Sequence, residues 1–176
     1  MIDIIDERPE HAAAIEKLLD SAFGPKRKRK ISYRFRQRLP PVAGLCLVAE
    51  DQGRLVGTIR HWPIVIDAAD TQSTALLLGP IAVAADYRLL GIGAQLIRQG
   101  LALAAAAGYR LVVLVGEPGY YRQFGFKPAS EFGIVMPMEK PARVQALVLS
   151  DDAMAISGGV IRHVAAGRPA SQRSAA

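Results

Sequence analysis

Cysteine occurs once in the 176 residues and histidine three times. A lone cysteine forms no internal disulfide, and Cys46 lies in the apolar stretch "LCLVAE", where a thiol reads as a small buried hydrophobe. His11, His61 and His163 stand far apart and lack the i, i+4 or paired-cysteine spacing of zinc sites, so no metal is expected. No apolar run reaches the ~18 residues of a membrane span, because Arg, Gln, Asp or Gly interrupts each one. The opening "MIDIIDERPEH" lacks the basic head and long apolar core of a secretory signal, which makes a cytoplasmic location the expectation and a membrane partner an unexpected one. No Gly-x-Ser-x-Gly occurs, and Ser157-Gly158-Gly159 does not resemble a nucleophile elbow, which argues against a covalent serine intermediate. Aromatics make up 6% of the chain and are not interleaved with its basic residues, so nucleic acid is not an expected partner.

What is present suits one packed domain. Half of the residues are hydrophobic (51%), enough for a core without covalent staples. We expect a single domain over residues 1–164 and a flexible C-terminal tail over 165–176. The net charge of +6 favours anions, and much of the excess sits in "KRKRK", Lys26 to Lys30. That run reads as a solvated basic loop, with a contact to phosphate or to an acidic acceptor as the sharper alternative.

Along the chain, "IDIIDE" predicts a strand and "RPEHAAAIEKLLDSAFG" a helix opened by Pro9 and closed by Gly24, its apolar face supplied by Ala13, Ile15, Leu18, Leu19, Ala22 and Phe23. "ISYRFRQRL" predicts a weaker helix ahead of Pro40-Pro41. "GLCLVAED" and "RLVGTIRHWPIVI" predict an antiparallel hairpin around Asp51-Gln52-Gly53. "TQSTALLLGPIAV" is a third strand, which Gly79-Pro80 should bulge or splay because proline cannot donate to the ladder. "GAQLIRQGLALAAAAG" predicts a helix with Leu96, Ile97, Leu101 and Ala104 facing the sheet and Gly108 at its end. "RLVVLVG" follows as a strand covered on both faces, parallel to the strand before the helix. "PGYYRQFGF" predicts a short helix from Pro118 to Gly125, and "FGIVMPM" and "VQALVLS" two further strands. Strands within 132–164 offer an edge for a possible homodimer.

"RLLGIGA", at a strand-to-helix junction, puts unpartnered N–H groups and the positive end of the helix dipole where an anion can sit. A structural glycine turn is the competing reading. Gly93 is followed by Ala94 and Gln95, which excludes a P-loop. A dinucleotide fingerprint wants a small residue where Leu96 stands and the first crossover of a parallel sheet. It remains the runner-up, with Glu117 in the place of its ribose-binding acid.

Arg88-Leu89-Leu90-Gly91-Ile92-Gly93 matches the Arg/Gln-x-x-Gly-x-Gly/Ala signature of the GCN5-related N-acetyltransferases, and "YYRQFGF" matches that family's later Tyr-x-x-x-Gly-Phe element. The chain resembles this family over most of its length, and "LGPIAV…DYR…GIG…LVGEPGYYRQFGF" is most similar to its YhbS-like branch. Leu89-Leu90 departs from the small or polar residues frequent there. The resemblance implies an α/β (α+β) fold: a central mixed, mostly antiparallel sheet with a splayed parallel strand pair and helices on both faces. It also implies acetyl-CoA as acyl donor and an amine as acceptor. By the same resemblance the diphosphate rests on amides from Leu89 to Ala94, with Arg88, Leu90, Gly91, Ile92 and Gly93 in that loop, and the pantetheine arm lies beside Ile81, Ala82 and Val83.

The implied reaction is direct attack in a ternary complex, with the oxyanion at the Val83 N–H. Tyr121 matches the family's general acid, and Tyr120 is its reserve. Glu117 is the first candidate for a base and His61 the second. Each has a plainer alternative: aromatic packing for the tyrosines, helix capping for Glu117, a packed ring for His61. A non-catalytic acyl-CoA sensor and a nicotinamide-dinucleotide enzyme are the other functional classes left open. The acceptor has no legible code.

Overall fold

The computed structural model describes residues 1–69, 71–150 and 158–164. Strands β1 (Ile2–Asp6), β2 (Leu47–Asp51), β3 (Arg54–Asp67), β4 (Gln72–Val83), β5 (Leu111–Val115), β6 (Lys127–Pro128), β7 (Ile134–Val135), β8 (Val144–Val148) and β9 (Gly159–His163) form one sheet. Its main path runs β1-β2-β3-β4-β5-β8-β6, with β9 paired to β3 and to β7. All of its pairs are antiparallel except β4–β5 and β7–β9. The β2–β3 hairpin closes where Asp51 faces Arg54, because Gln52 and Gly53 both take positive φ (50° and 77°), the backbone twist a two-residue hairpin loop needs.

Helices cover both faces of the sheet, as the family resemblance implies. On one face lies α3 (Ile92–Ala106), which buries Ile92, Leu96, Ile97, Leu101 and Ala104 on β2, β3 and β4. Full burial of Ile92, Leu96 and Ile97 contributes about 1.5–3 kcal/mol each. The helix stops at Gly108 (φ 82°), where the Tyr109 N–H reaches the Ala104 carbonyl and the Gly108 N–H the Ala105 carbonyl, each at 3.0 Å. On the other face α1 (Ala12–Phe23) buries Ile15 and Leu19 against Val48 and Ala82. Pro9 opens it through a short 3-10 turn and Gly24 closes it, but Ala13 and Phe23 of its expected apolar face are exposed. No helix among the described residues is long and apolar enough to cross a membrane.

The weak helix expected over residues 31–39 is a single turn, α2 (Ile31–Arg34), because Phe35 and Arg36 turn into the fold and Arg38 takes a positive φ of 57°. "FGIVMPM" yields only the two residues of β7. Gly133 (φ 66°) precedes them, and Pro137 and Met138 (φ 67°) end the extended run. Within the segment 132–164, where the sequence offers an edge for a possible homodimer, β9 pairs with the far half of β3, Ile64 facing His163 and Asp67 facing Val160. The tail over 165–176 lies outside the described residues.

"KRKRK" departs from the solvated loop expected of it. It winds as a 3-10 turn over Pro25–Arg29, and Arg27 points inward with 2% exposure. Its guanidinium donates to Asp20 at 2.7 Å, Glu16 at 2.6 Å and the Tyr33 hydroxyl at 2.7 Å, so the buried charge is matched by acceptors on α1 and α2.

The sheet opens where Pro80 predicts. Ile59 faces Ile81, but His61 faces Leu78, so Gly79 and Pro80 together oppose Arg60 and the ladder bulges. On the other side of β4, parallel pairing with β5 stops after Leu76–Val112 and Leu77–Val113, and the two strands separate toward their C-terminal ends.

Candidate active site

The glycine segment sits at the mouth of that gap. A 3-10 turn over Ala85–Leu90 leads to Gly91, whose φ of 73° reverses the chain into α3. The Gly91 carbonyl accepts from the Gln95 N–H at 3.1 Å, which leaves the N–H groups of Ile92, Gly93 and Ala94 without partners inside the helix. Leu89 and Leu90 turn outward, Leu89 to 99% exposure, so side chains do not plug the turn. Gly93 keeps it open as well: a Cβ there would stand 3.4 Å from the Tyr120 hydroxyl. The result is a cleft of about 520 Å³ walled by Ile81, Ala82, Val83, Arg88, Leu89, Gly91, Gly93, Ala94, Tyr120 and, from α1, Ala22 and Phe23. Leu90 does not line it, and the Ile92 side chain is buried beneath α3, so only the peptide N–H of Ile92 is on offer.

Strand geometry decides which backbone groups face the gap. The Ala84 N–H bonds the Val56 carbonyl at 2.8 Å, toward β3. Peptide groups alternate sides along a strand, so those of Ala82 also face β3, while those of Ile81 and Val83 face the side that β5 has left. Sequence reasoning grouped the three residues together, and the alternation removes the Ala82 peptide from that set.

The two tyrosines of α4 (Pro118–Tyr121) part company. Tyr120 lies over Gly93 on the cleft wall. Tyr121 turns in: its ring lies against Gly116, where no side chain could fit, and meets Phe126 edge-on at 6.0 Å. Burial, with a smaller contribution from Tyr120, pushes the Tyr121 phenol up to about 12. Its hydroxyl has no hydrogen-bond partner among the described residues. Tyr121 therefore stands behind the cleft wall at the end of β5, in edge contact with Tyr120 at 5.0 Å.

The carboxylate and histidine candidates are not brought to the gap. Glu117 is 77% exposed, lies 3.3 Å from Arg143, lines neither cleft and makes no capping bond to α4. His61 is wholly buried under Gly100, its Nδ1 2.7 Å from the Leu45 carbonyl, and burial holds its pKa below the ordinary value. Cys46 is buried too, and burial pushes its thiol up to about 11, away from the nucleophilic form.

A second cavity of about 320 Å³ is lined by neighbouring residues of β4 and α1. Pro80 lines it and Ile81 lines the first, and its wall includes Arg27, Tyr33, Arg36, Arg60 and Trp62. Sequence reasoning missed Arg36, Arg60 and Trp62. The one signal, arginines alternating with aromatics in "YRFRQR", has the pattern of an ordinary amphipathic segment.

The GNAT acetyltransferase domain pattern matches residues 4–129. An uncharacterized N-acetyltransferase of Escherichia coli K12, YhbS, is 31% identical over 124 residues, covering 70% of this chain and 72% of that protein. The crystal structure of E. coli YhbS in complex with CoA superposes with a TM-score of 0.80 at 27% identity, covering 93% of this chain and 89% of that one. A GNAT family acetyltransferase from Brucella melitensis, solved with acetyl-CoA, superposes at 0.71 with 30% identity, covering 94% and 97%. The opened β4–β5 pair, the bare amides at the head of α3 and these likenesses agree: the chain is a member of the GNAT family of N-acetyltransferases.

Proposed function

We propose that the protein transfers the acetyl group of acetyl-CoA to a primary amine by direct attack in a ternary complex. One observation carries this reading: the gap between β4 and β5 opens beside the free amides of α3, so one elongated thioester could place its diphosphate on the helix and its acyl end between the strands. The relatives solved with CoA and acetyl-CoA support the choice of donor. The Ile92, Gly93 and Ala94 N–H groups take the diphosphate, with Arg88 at the rim. Ile81 and Val83 offer peptide groups to the amide-bearing arm.

The neutral amine attacks the thioester carbonyl, the Val83 N–H stabilises the oxyanion, the nitrogen of the adduct gives its extra proton to water, and collapse breaks the C–S bond to give amide and thiolate. To Tyr121, behind the cleft wall at the end of β5 where the two strands part, we give protonation of the departing sulfur; its phenol carries its proton throughout the neutral range, and burial weakens it as an acid. Tyr120, over Gly93, belongs to the diphosphate end. An alkylamine of pKa ~10.4 must shed a proton before attack. Glu117 and His61 lie away from the gap, so we assign that proton to water, not to a side chain.

The test is release of free thiol from acetyl-CoA across a panel of amines. Tyr121→Phe should lower kcat by ~10²-fold, in the range for a general acid, with acetyl-CoA affinity nearly unchanged. Tyr120→Phe should act mainly on that affinity. Equal loss of both quantities in Tyr121→Phe would make it a packing residue, and clear binding with no thiol release from any amine would make the protein a sensor.

A further inference from the structure

The cavity beside Pro80 holds a charge that the acetyl-transfer reading leaves without a role. Four of its wall residues are cations, Arg27, Lys28, Arg36 and Arg60. Three carboxylates answer them: Glu16 lies 2.6 Å from Arg27 and 3.0 Å from Lys28, Asp20 lies 2.7 Å from Arg27, and Glu7 lies 2.6 Å from Arg60. Arg36 has no carboxylate among the described residues. It is only 9% exposed, and its Nε has no hydrogen-bond partner among the described residues. Its guanidinium lies 4.6 Å from the Tyr33 ring centroid, and its Nη2 would stand 3.3 Å from a Cβ at Gly79, in the bulge. Trp62, on the same wall, has a buried indole N–H that is equally unpartnered. Burial pushes Arg36 down to about 10, Tyr33 opposing this and Arg27 and Arg60 adding to it, so the group is still charged at neutral pH. A buried cation without a counter-charge is costly, and a ligand that brings the counter-charge removes the cost.

We propose that this cavity seats a carboxylate carried by the acceptor itself, bound by the Arg36 guanidinium, so that the enzyme selects amines bearing one negative charge. This rests on the acetyltransferase reading of the acyl-donor cleft. One unmatched cation suits a monoanion, whereas the second charge of a phosphate monoester would find no partner. A guanidinium edge also fits two carboxylate oxygens. Pro80 lines this cavity and Ile81, its neighbour on β4, lines the acyl-donor cleft, so an amine held by its far carboxylate would extend along β4 toward the gap.

Trp62 is the only tryptophan in the chain, which makes its emission a reporter of this cavity. The experiment titrates the full chain with ω-amino carboxylic acids of increasing length, with alkylamines of matching length, and with O-phosphoethanolamine. It reads Trp62 emission and, in parallel, thiol release from acetyl-CoA. The amino acids should change the emission saturably and the alkylamines should not, with an optimum length that reports the distance from Arg36 to the acyl group. Arg36→Gln should weaken amino-acid binding at least about tenfold, the worth of a charge-assisted hydrogen bond, and leave acetyl-CoA affinity unchanged. Arg36→Lys, which keeps the charge and loses the fork, should fall between, and provides the test if the glutamine variant does not fold. Equal binding of amino acids and alkylamines, undiminished binding in both variants, or tighter binding of O-phosphoethanolamine would overturn the proposal. Arg36-dependent binding without thiol release from any amine would instead overturn acetyl transfer and leave the carboxylate site standing. Thiol release as fast with alkylamines as with amino acids would do the reverse.

Discussion

His61 and Gly100 show how one contact fixes a side chain's role. A Cβ on Gly100 would stand 2.7 Å from His61 Cε1, and the ring cannot turn aside without losing its 2.7 Å bond to the Leu45 carbonyl. The helix accepts a glycine, which costs it ~1 kcal/mol of propensity, so that α3 can lie flat on this ring. Gly100→Ala improves the propensity and overpacks the core. We expect a net loss of about 1–3 kcal/mol in chemical denaturation, since the clash is with a held ring and not with a mobile tip. A gain in stability would show that the ring has room to move. The same contact removes His61 from the chemistry, because a ring sealed under a helix meets no substrate.

At the scale of elements, the strand–turn–helix from β4 to α3 is the device that places the site. Gly91 and Gly93 do different things in it. Gly91 takes the left-handed φ of 73° that lets the turn reverse, and nothing lies within 4 Å of where its Cβ would stand, so its reason is backbone conformation. Gly93 has ordinary helical geometry, and its reason is the space beside Tyr120 and Val83. Gly91→Ala should therefore lower the melting temperature through a strain of roughly 1–2 kcal/mol. Gly93→Val should leave melting nearly unchanged while weakening acetyl-CoA about tenfold or more in calorimetric titration, since it fills the space over the amides proposed to take the diphosphate. Full acetyl-CoA affinity in Gly93→Val would mean that the donor lies elsewhere.

The device was legible because each part follows from local chemistry: proline without a donor breaks the ladder, glycines let amides approach, and an apolar stripe lays α3 on the sheet. The one-turn α2 was not legible. "ISYRFRQRL" has an acceptable helical pattern, and only the inward turn of Phe35 and Arg36 toward distant residues stops it.

For the whole molecule, donor binding should register as global stability, because the cleft joins α1, β4, α3 and α4, and unfolding any of them loses the site. At a hundred times its dissociation constant a ligand adds ~2.7 kcal/mol, which raises the melting temperature of a domain this size by roughly 5–10 °C. Acetyl-CoA should produce that shift and NADH or NADPH none. A shift with the nicotinamides alone would restore the dinucleotide reading of the glycine turn.

The sequence by itself determined the order of the helices and of every strand but β6 and β9, the break at Pro80, the glycine turn at 88–94 and the tyrosine pair that follows β5. These depend on neighbours a few residues apart, where proline, glycine and apolar periodicity act directly on the backbone. Tertiary structure alone decided that Tyr120 faces the cleft while Tyr121 stands behind it, that Glu117 turns to solvent, and that Arg36 is buried against Gly79 with no carboxylate among the described residues. Each of those outcomes depends on what distant segments place around a side chain, and burial and charge balance arise only when the chain has closed on itself.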